Sequence, residues 1–258
     1  MNEILIVKDL VKTFQLSKKQ QQLEKTTNKT LTAVNKLSFS LERGEMFGLL
    51  GTNGAGKTTT LRMIATLLKP DSGSIILDGV DAIQEPATVR GKLGFLTSEL
   101  KLEDFFSPSY MFDYFAKLHN VDPEAAAQRK AFLFKHLGIE KFAETKIGEL
   151  STGMKQKTSI AVSLVHDPDI IIFDEPTNGL DIIVAKAVTD FLLQLKQAGK
   201  TILISSHIFA LIESTCDRVG IMMDGKMIYT ERLDNITANS TLEKKFFEVY
   251  EKEVANHG

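Results

Sequence analysis

The sequence predicts an α/β fold that is interrupted by an all-helical stretch and preceded by a strand-rich N-terminal part. Three observations predict it. A strand runs into a glycine-rich turn and then a helix around residues 46–68; the composition turns helical between about residues 105 and 164; strands and helices alternate again over residues 169–223.

Short strands are expected over residues 4–7, 31–34, 37–41 and 46–50, divided by polar stretches and by the Arg43-Gly44-Glu45 turn. Residues 17–30, rich in Lys, Gln and Thr, are expected to form a solvated loop. A helix over 58–68 closes on the turn cluster Pro70-Asp71-Ser72-Gly73, and strands follow at 74–77 and 93–96. In the helical stretch, Ser107-Pro108 reads as an N-cap followed by proline at the first helical position, and Met111, Phe112, Phe115 and Leu118 recur at helical spacing. A second helix is expected over 123–137, ended by Gly138, and a third begins at Ser151. Residues 169–173 carry the continuous apolar run of a strand buried on both faces. Helix 182–198, strand 201–205, helix 208–215 and strand 219–223 complete the series, and 241–255 reads as an amphipathic helix.

At 258 residues the chain is long enough for one large domain or a domain with a smaller subdomain. A formal net charge of -2 gives no reason to expect a nucleic-acid surface. The single cysteine, Cys216, rules out an internal disulfide and fits a reducing compartment. Residues 1–10 alternate apolar and charged side chains, unlike a signal peptide, and no apolar run reaches the ~18 residues that cross a bilayer. Any membrane role is expected to come through a partner, with this chain on the cytoplasmic face.

Gly51-Thr52-Asn53-Gly54-Ala55-Gly56-Lys57-Thr58 satisfies G-x-x-x-x-G-K-[ST] between a strand and a helix. The glycines let successive N–H groups turn toward phosphate oxygens, and the following helix adds its positive end. Lys57 is expected on the β- and γ-phosphates and the Thr58 hydroxyl on Mg²⁺. The loop alone does not name the nucleotide. GTP-binding proteins usually add Asn-Lys-x-Asp; Asn35-Lys36-Leu37-Ser38 lacks the carboxylate and lies upstream, which favours ATP. Asp174 and Glu175 end the apolar strand at the edge where open α/β sheets bind ligands. Asp174 suits Mg²⁺ held through its water shell, and Glu175 suits polarising the water that attacks the γ-phosphate.

With Leu150-Ser151-Thr152-Gly153-Met154 at a helix start, the chain resembles the nucleotide-binding subunits of ATP-binding cassette (ABC) transporters over about residues 4–231. The resemblance implies an ABC ATPase fold: a P-loop NTPase core with an N-terminal antiparallel β subdomain and a helical insertion. It divides the chain into an ATP-binding core with its β subdomain over 1–97 and 166–232, a helical subdomain over 98–165 and a C-terminal extension over 233–258.

It also implies a head-to-tail pair around two Mg-ATP, in which Ser151 and Gly153 offer donors to the γ-phosphate held by the opposite subunit. Asp181 falls in the loop that crosses the dimer interface. His207 corresponds to the histidine that senses the γ-phosphate, Phe14 to the aromatic that stacks on adenine, and Thr59 joins the nucleotide contacts. Glu175, His207 and Lys57 are thus the expected catalytic set. In two places the sequence departs from the family pattern. Ser98 stands where a glutamine usually contacts Mg²⁺ and the attacking water, and Met154 replaces the usual signature glutamine. The expected partners are a second copy or a paralogous ATPase subunit and a transmembrane permease, with no nucleic acid. Residues Gly94 to Leu100 look like those of sodium-export subunits, so the expected activity is an ATPase driving an exporter of sodium or a drug. The alternative is a non-transport ABC ATPase acting on ribosomes or DNA. The aromatics Phe105, Phe106, Tyr110, Phe112, Tyr114 and Phe115 are candidates to line a groove for a partner helix.

Overall fold

The computed structural model describes residues 3–23, 27–97 and 102–257, which fall into two compact units: Met1–Arg90 with Ser205–Gly258, and Gly91–Ile204.

The first unit opens with strand β1 (Glu3–Gln15), helix α1 (Lys18–Leu23), strand β2 (Thr30–Glu42) and strand β3 (Met46–Gly51). Helix α2 (Lys57–Ile64), strands β4 (Ser72–Leu77) and β5 (Val80–Asp81) and helix α3 (Pro86–Lys92) follow. A four-stranded sheet runs in the order β2-β1-β4-β5 and is antiparallel throughout. Leu5 pairs with Leu41 and Leu77, and all three are buried. The two strands expected at 31–34 and 37–41 are one strand; Lys36 between them has φ 51 and interrupts the alternation. A matching irregularity in β1 sits at Asp9, φ 47, whose N–H donates to Ser38 Oγ at 2.8 Å.

Two expectations shift here. The solvated loop expected over 17–30 contains helix α1, because Lys and Gln are good helix formers. Helix α2 stops at Ile64 instead of 68: Thr66 takes φ 60, and the N–H groups of Leu67 and Leu68 both turn back to the Arg62 carbonyl.

The second unit holds strand β6 (Leu93–Thr97), helices α4 (Pro108–Leu118), α5 (Pro123–Leu137) and α6 (Thr152–Ser163), strand β7 (Ile170–Asp174), helix α7 (Ile182–Gln197) and most of strand β8 (Thr201–Ser206). The Ser107 cap and the Gly138 stop stand where the sequence predicts them, and Asp122 adds a cap that was not expected. Ser107 Oγ accepts from Tyr110 N, Asp122 Oδ1 accepts from Glu124 N and Ala125 N, and Gly138 ends α5 at φ 67. Strands lie in the order β8-β7-β6, with β6 and β7 parallel and Thr97 level with Asp174. The helices close on Phe112 and Phe134, which meet edge to face at 5.7 Å. Phe112 is fully buried, so it is removed from the aromatics expected to line a partner groove. Phe106, Tyr110 and Tyr114 instead form an exposed stacked ladder.

The chain returns to the first unit with helix α8 (Phe209–Thr215), strands β9 (Arg218–Met223) and β10 (Lys226–Arg232), and helices α9 (Leu233–Thr237) and α10 (Leu242–His257). Strand β3 runs parallel to β9, so Gly51 lies level with Met222, and β10 pairs antiparallel to β9. Strand β10 was not expected, although Asp224-Gly225 at φ 48 and 76 is the two-residue hairpin signal that announces it. Arg218 binds Glu45 at 3.1 Å and covers the Phe47 ring at 5.2 Å. Burial nonetheless holds the Glu45 carboxyl above its ordinary range. Among the described residues no helix is long and apolar enough to cross a membrane.

Candidate functional site

The glycine-rich loop Gly51 to Thr58 belongs to the first unit. β3 is buried along its whole length and delivers Gly51 to the loop. Gly54 and Gly56 take φ 85 and 98, a region closed to most side chains, and a Cβ on Gly56 would stand 2.2 Å from the Ala33 carbonyl oxygen. Glycine at 56 is therefore required twice, by torsion and by the neighbouring strand. Helix α2 opens with no side-chain cap, and its N-terminal end is the kind of place that favours an anion. Lys57 is buried, and its Nζ donates to the carbonyls of Gly51 at 2.7 Å and Thr52 at 3.2 Å, so the lysine lies folded along its own loop. Thr52 and Asn53 are exposed, Ala55 is buried, and Thr58 and Thr59 are half-buried on the first turn of α2.

The carboxylates belong to the second unit. Asp174 ends β7, only 4% exposed, and Glu175 follows at φ 52. A bulky side chain in left-handed backbone costs energy that the surroundings must supply. Its carbonyl accepts from Asn178 N, and Gln156 Nε2 of α6 donates to the Pro176 carbonyl at 3.3 Å. Asp181 caps α7, its Oδ1 accepting from Ile183 N at 2.9 Å and Val184 N at 3.0 Å. Ser151 caps α6, its Oγ accepting from Met154 N at 3.3 Å while its own proton stays able to donate. The starts of α6 and α7 meet closely: a Cβ on Gly153 would lie 2.9 Å from Val184 Cγ2. The structure thus brings Ser151 and Gly153 together with the helix that Asp181 caps. Ser98 lies outside the described residues.

Residues 34–178 match the family model described as ABC transporter. This chain belongs to the ABC transporter family. It is 42% identical to the ABC transporter ATP-binding protein NatA of Bacillus subtilis (strain 168) over 81% of this chain and 85% of that one. It is 39% identical to the Nod factor export ATP-binding protein I of Burkholderia orbicola (strain AU 1054) over 76% of this chain and 64% of that one. The solved structure of an ATP-binding subunit of an ABC transporter superposes with a TM-score of 0.82 at 27% identity, covering 96% of this chain and 99% of that chain. The fold is the ABC ATPase fold and the chain is an ABC transporter ATP-binding subunit.

Phe14 and His207, also singled out in the sequence of this ABC subunit, belong to the first unit. Phe14 pairs with Leu31 across β1 and β2, half-exposed, with Lys12 Nζ 5.8 Å from its ring centre. Lys12 Nζ also binds Asp71 at 2.8 Å; that bond and the Thr13 N–H hold the Asp71 carboxyl below its ordinary range. His207 is exposed just beyond β8. Magnesium usually takes one or two protein oxygens and completes its shell with phosphate and water. The Thr58 hydroxyl and the Asp174 carboxylate are donors of that kind. No cluster of three or more metal-ligating side chains occurs among the described residues.

Sequence reasoning missed Gln156 and Val184. Gln156 carried a signal, since it stands one helical turn after Gly153 on the same helix, but its partner Pro176 is twenty residues away. Val184 reads as an ordinary helix residue and acquires meaning only from the approach of α6.

Proposed function

We propose that this ABC subunit is the ATP-hydrolysing motor of an exporter, working as a pair of ATP-binding subunits around two Mg-ATP and driving a separate transmembrane partner. The observation that carries the reading is the exposed start of α6, a capped helix N-terminus with Ser151 and Thr152 open to solvent. It suits a phosphate brought by a second subunit. Ile182 and Ile183, 88% and 81% exposed beside Asp181, support a covering partner at the same end of the unit.

In this reading Gly51 to Thr58, with Thr59, bind the phosphates, Lys57 neutralises the developing charge, and Phe14 stacks on adenine. Thr58 and Asp174 hold magnesium, which supplies further charge neutralisation at the phosphates. Glu175 accepts the proton of the attacking water and His207 senses the γ-phosphate. ATP binds the closed pair better than the open one, and this difference drives the motion. The helical subdomain over 98–165 passes it on, with the Phe106–Tyr110–Tyr114 ladder receiving a helix of the membrane partner. Sodium or a drug is the proposed cargo, and the likeness to an export protein supports the direction.

Glu175→Gln tests the chemistry: ATP binding is expected to persist while turnover falls by at least about a hundredfold and the pair stays trapped. Unchanged hydrolysis would remove Glu175 from its role. Co-purification tests the partner; recovery with ribosomes instead of a membrane protein would overturn the transport reading.

A further inference from the structure

Glu175 is followed by a proline, which steers the residue before it toward extended backbone. Glu175 is not extended; it is held at φ 52. The turn behind it is closed by its own backbone, with Asn178 N on the Glu175 carbonyl and Leu180 N on the Thr177 carbonyl. Pro176 has no N–H, so its carbonyl is the one backbone group through which that residue can be anchored. That carbonyl takes the side-chain amide of Gln156 at 3.3 Å.

The same face of α6 grips the far end of the segment. Gly153 and Gln156 are three residues apart, one above the other on the helix. Gly153 lies against Val184, on the first turn of the helix capped by Asp181. One face of α6 therefore brackets residues 176–184 at both ends.

We propose that Gln156 is a positioning residue for hydrolysis, its amide holding the Pro176 carbonyl so that Glu175 keeps its left-handed backbone and moves together with the helix start at Ser151. The inference rests on the reading of Glu175 given above. Through this bracket, a shift of α6 as a second subunit arrives reorients the base of its own chain. Binding of ATP does not need the amide; alignment of the base does.

The test is steady-state ATP hydrolysis by the purified chain carrying Gln156→Met, which keeps the length and loses the donor, or Gln156→Lys, which keeps a donor. Thermal melting and Glu175→Gln are run alongside. Gln156→Met is expected to lower kcat about tenfold, the scale of one lost hydrogen bond at the transition state, with KM for ATP and Tm close to the parent. Gln156→Lys is expected to recover most of the rate. A parental kcat in Gln156→Met overturns the proposal, as does a loss that follows Tm or KM equally in both variants. If Glu175→Gln is inactive while Gln156→Met is unimpaired, only the role of Gln156 falls. If Glu175→Gln hydrolyses ATP at the parental rate, the reading of Glu175 falls and this inference with it.

Discussion

Helix α2 opens on Gly56, left-handed and without a side-chain cap, whereas α6 opens on Ser151, whose oxygen takes the Met154 N–H. Both starts suit an anion, yet they are shaped by different means. The α2 start is made by torsion within a short stretch of chain and by the backbone of Ala33 on strand β2. The α6 start is made by packing, because Gly153 has its conformation free but its space taken by Val184. A glycine in the first place answers to backbone geometry; in the second it answers to a neighbour that can be changed.

The largest expected effect therefore falls on Gly56→Ala. The new methyl meets the Ala33 carbonyl at far below contact distance in a torsion unfavourable to any side chain, so no single compensating substitution is available. ATP affinity, measured by titration calorimetry, is expected to drop by about a hundredfold or more. Retained affinity would mean that the loop can rebuild.

Gly153→Ala is expected to lower ATP turnover by about tenfold, and here a second change helps. Val184→Ala vacates the contested space, so the double variant is expected to regain most of the rate, a coupling read from a double-mutant cycle. Additive losses would show that close approach of a ligand, not Val184, forbids a side chain at 153.

The smallest effect concerns the other end of α6. His166 stacks on His119 with ring centres 4.2 Å apart, and its Nε2 donates to the Leu93 carbonyl at 3.2 Å. Its Nδ1 is buried with no hydrogen-bond partner among the described residues. Burial first, then His119 and, more weakly, Arg129 push the His166 pKa down to about 4 against the hydrogen bond to the Leu93 carbonyl and the weaker pull of Asp167, and burial also lowers His119. The unfolded chain therefore binds a proton more readily than the folded one between about pH 6.5 and 4. Stability is full above that window and declines as pH falls through it. His166→Phe keeps the stack without the titration, so its Tm is expected to fall less by a few degrees on acidification. Parallel Tm curves for parent and variant would clear the stack of that sensitivity.

The same contrast governs what the sequence discloses. The turn within Gly51 to Thr58 is legible because its torsions belong to consecutive residues, and the caps Ser107 and Ser151 are legible for the same reason. Strand β10 carried its Asp-Gly signal, but the run after it, Lys226 to Arg232, has too weak an apolar alternation to stand out. Helix α1 was hidden because a polar stretch of Lys and Gln suits a loop and a short helix equally. Phe112 and Tyr110 share one helix and one aromatic character, and only packing decides that the first is core and the second surface. Val184 carries no signal of its own, and the place of Gln156 on the helix of Gly153 does not disclose its partner, since each matters through a residue brought close by the fold.

Position 175 has a history to tell in these terms. Asparagine or glycine would sit in its torsion with less strain, and neither can take a proton from water. Under the base role proposed for Glu175, local folding preference and chemistry pull in opposite directions at this one site. A lineage that ceased to need turnover while still binding nucleotide would be expected to lose the acid here early, gaining stability as it did so, and a population of such sequences would carry the record of that release in a single codon.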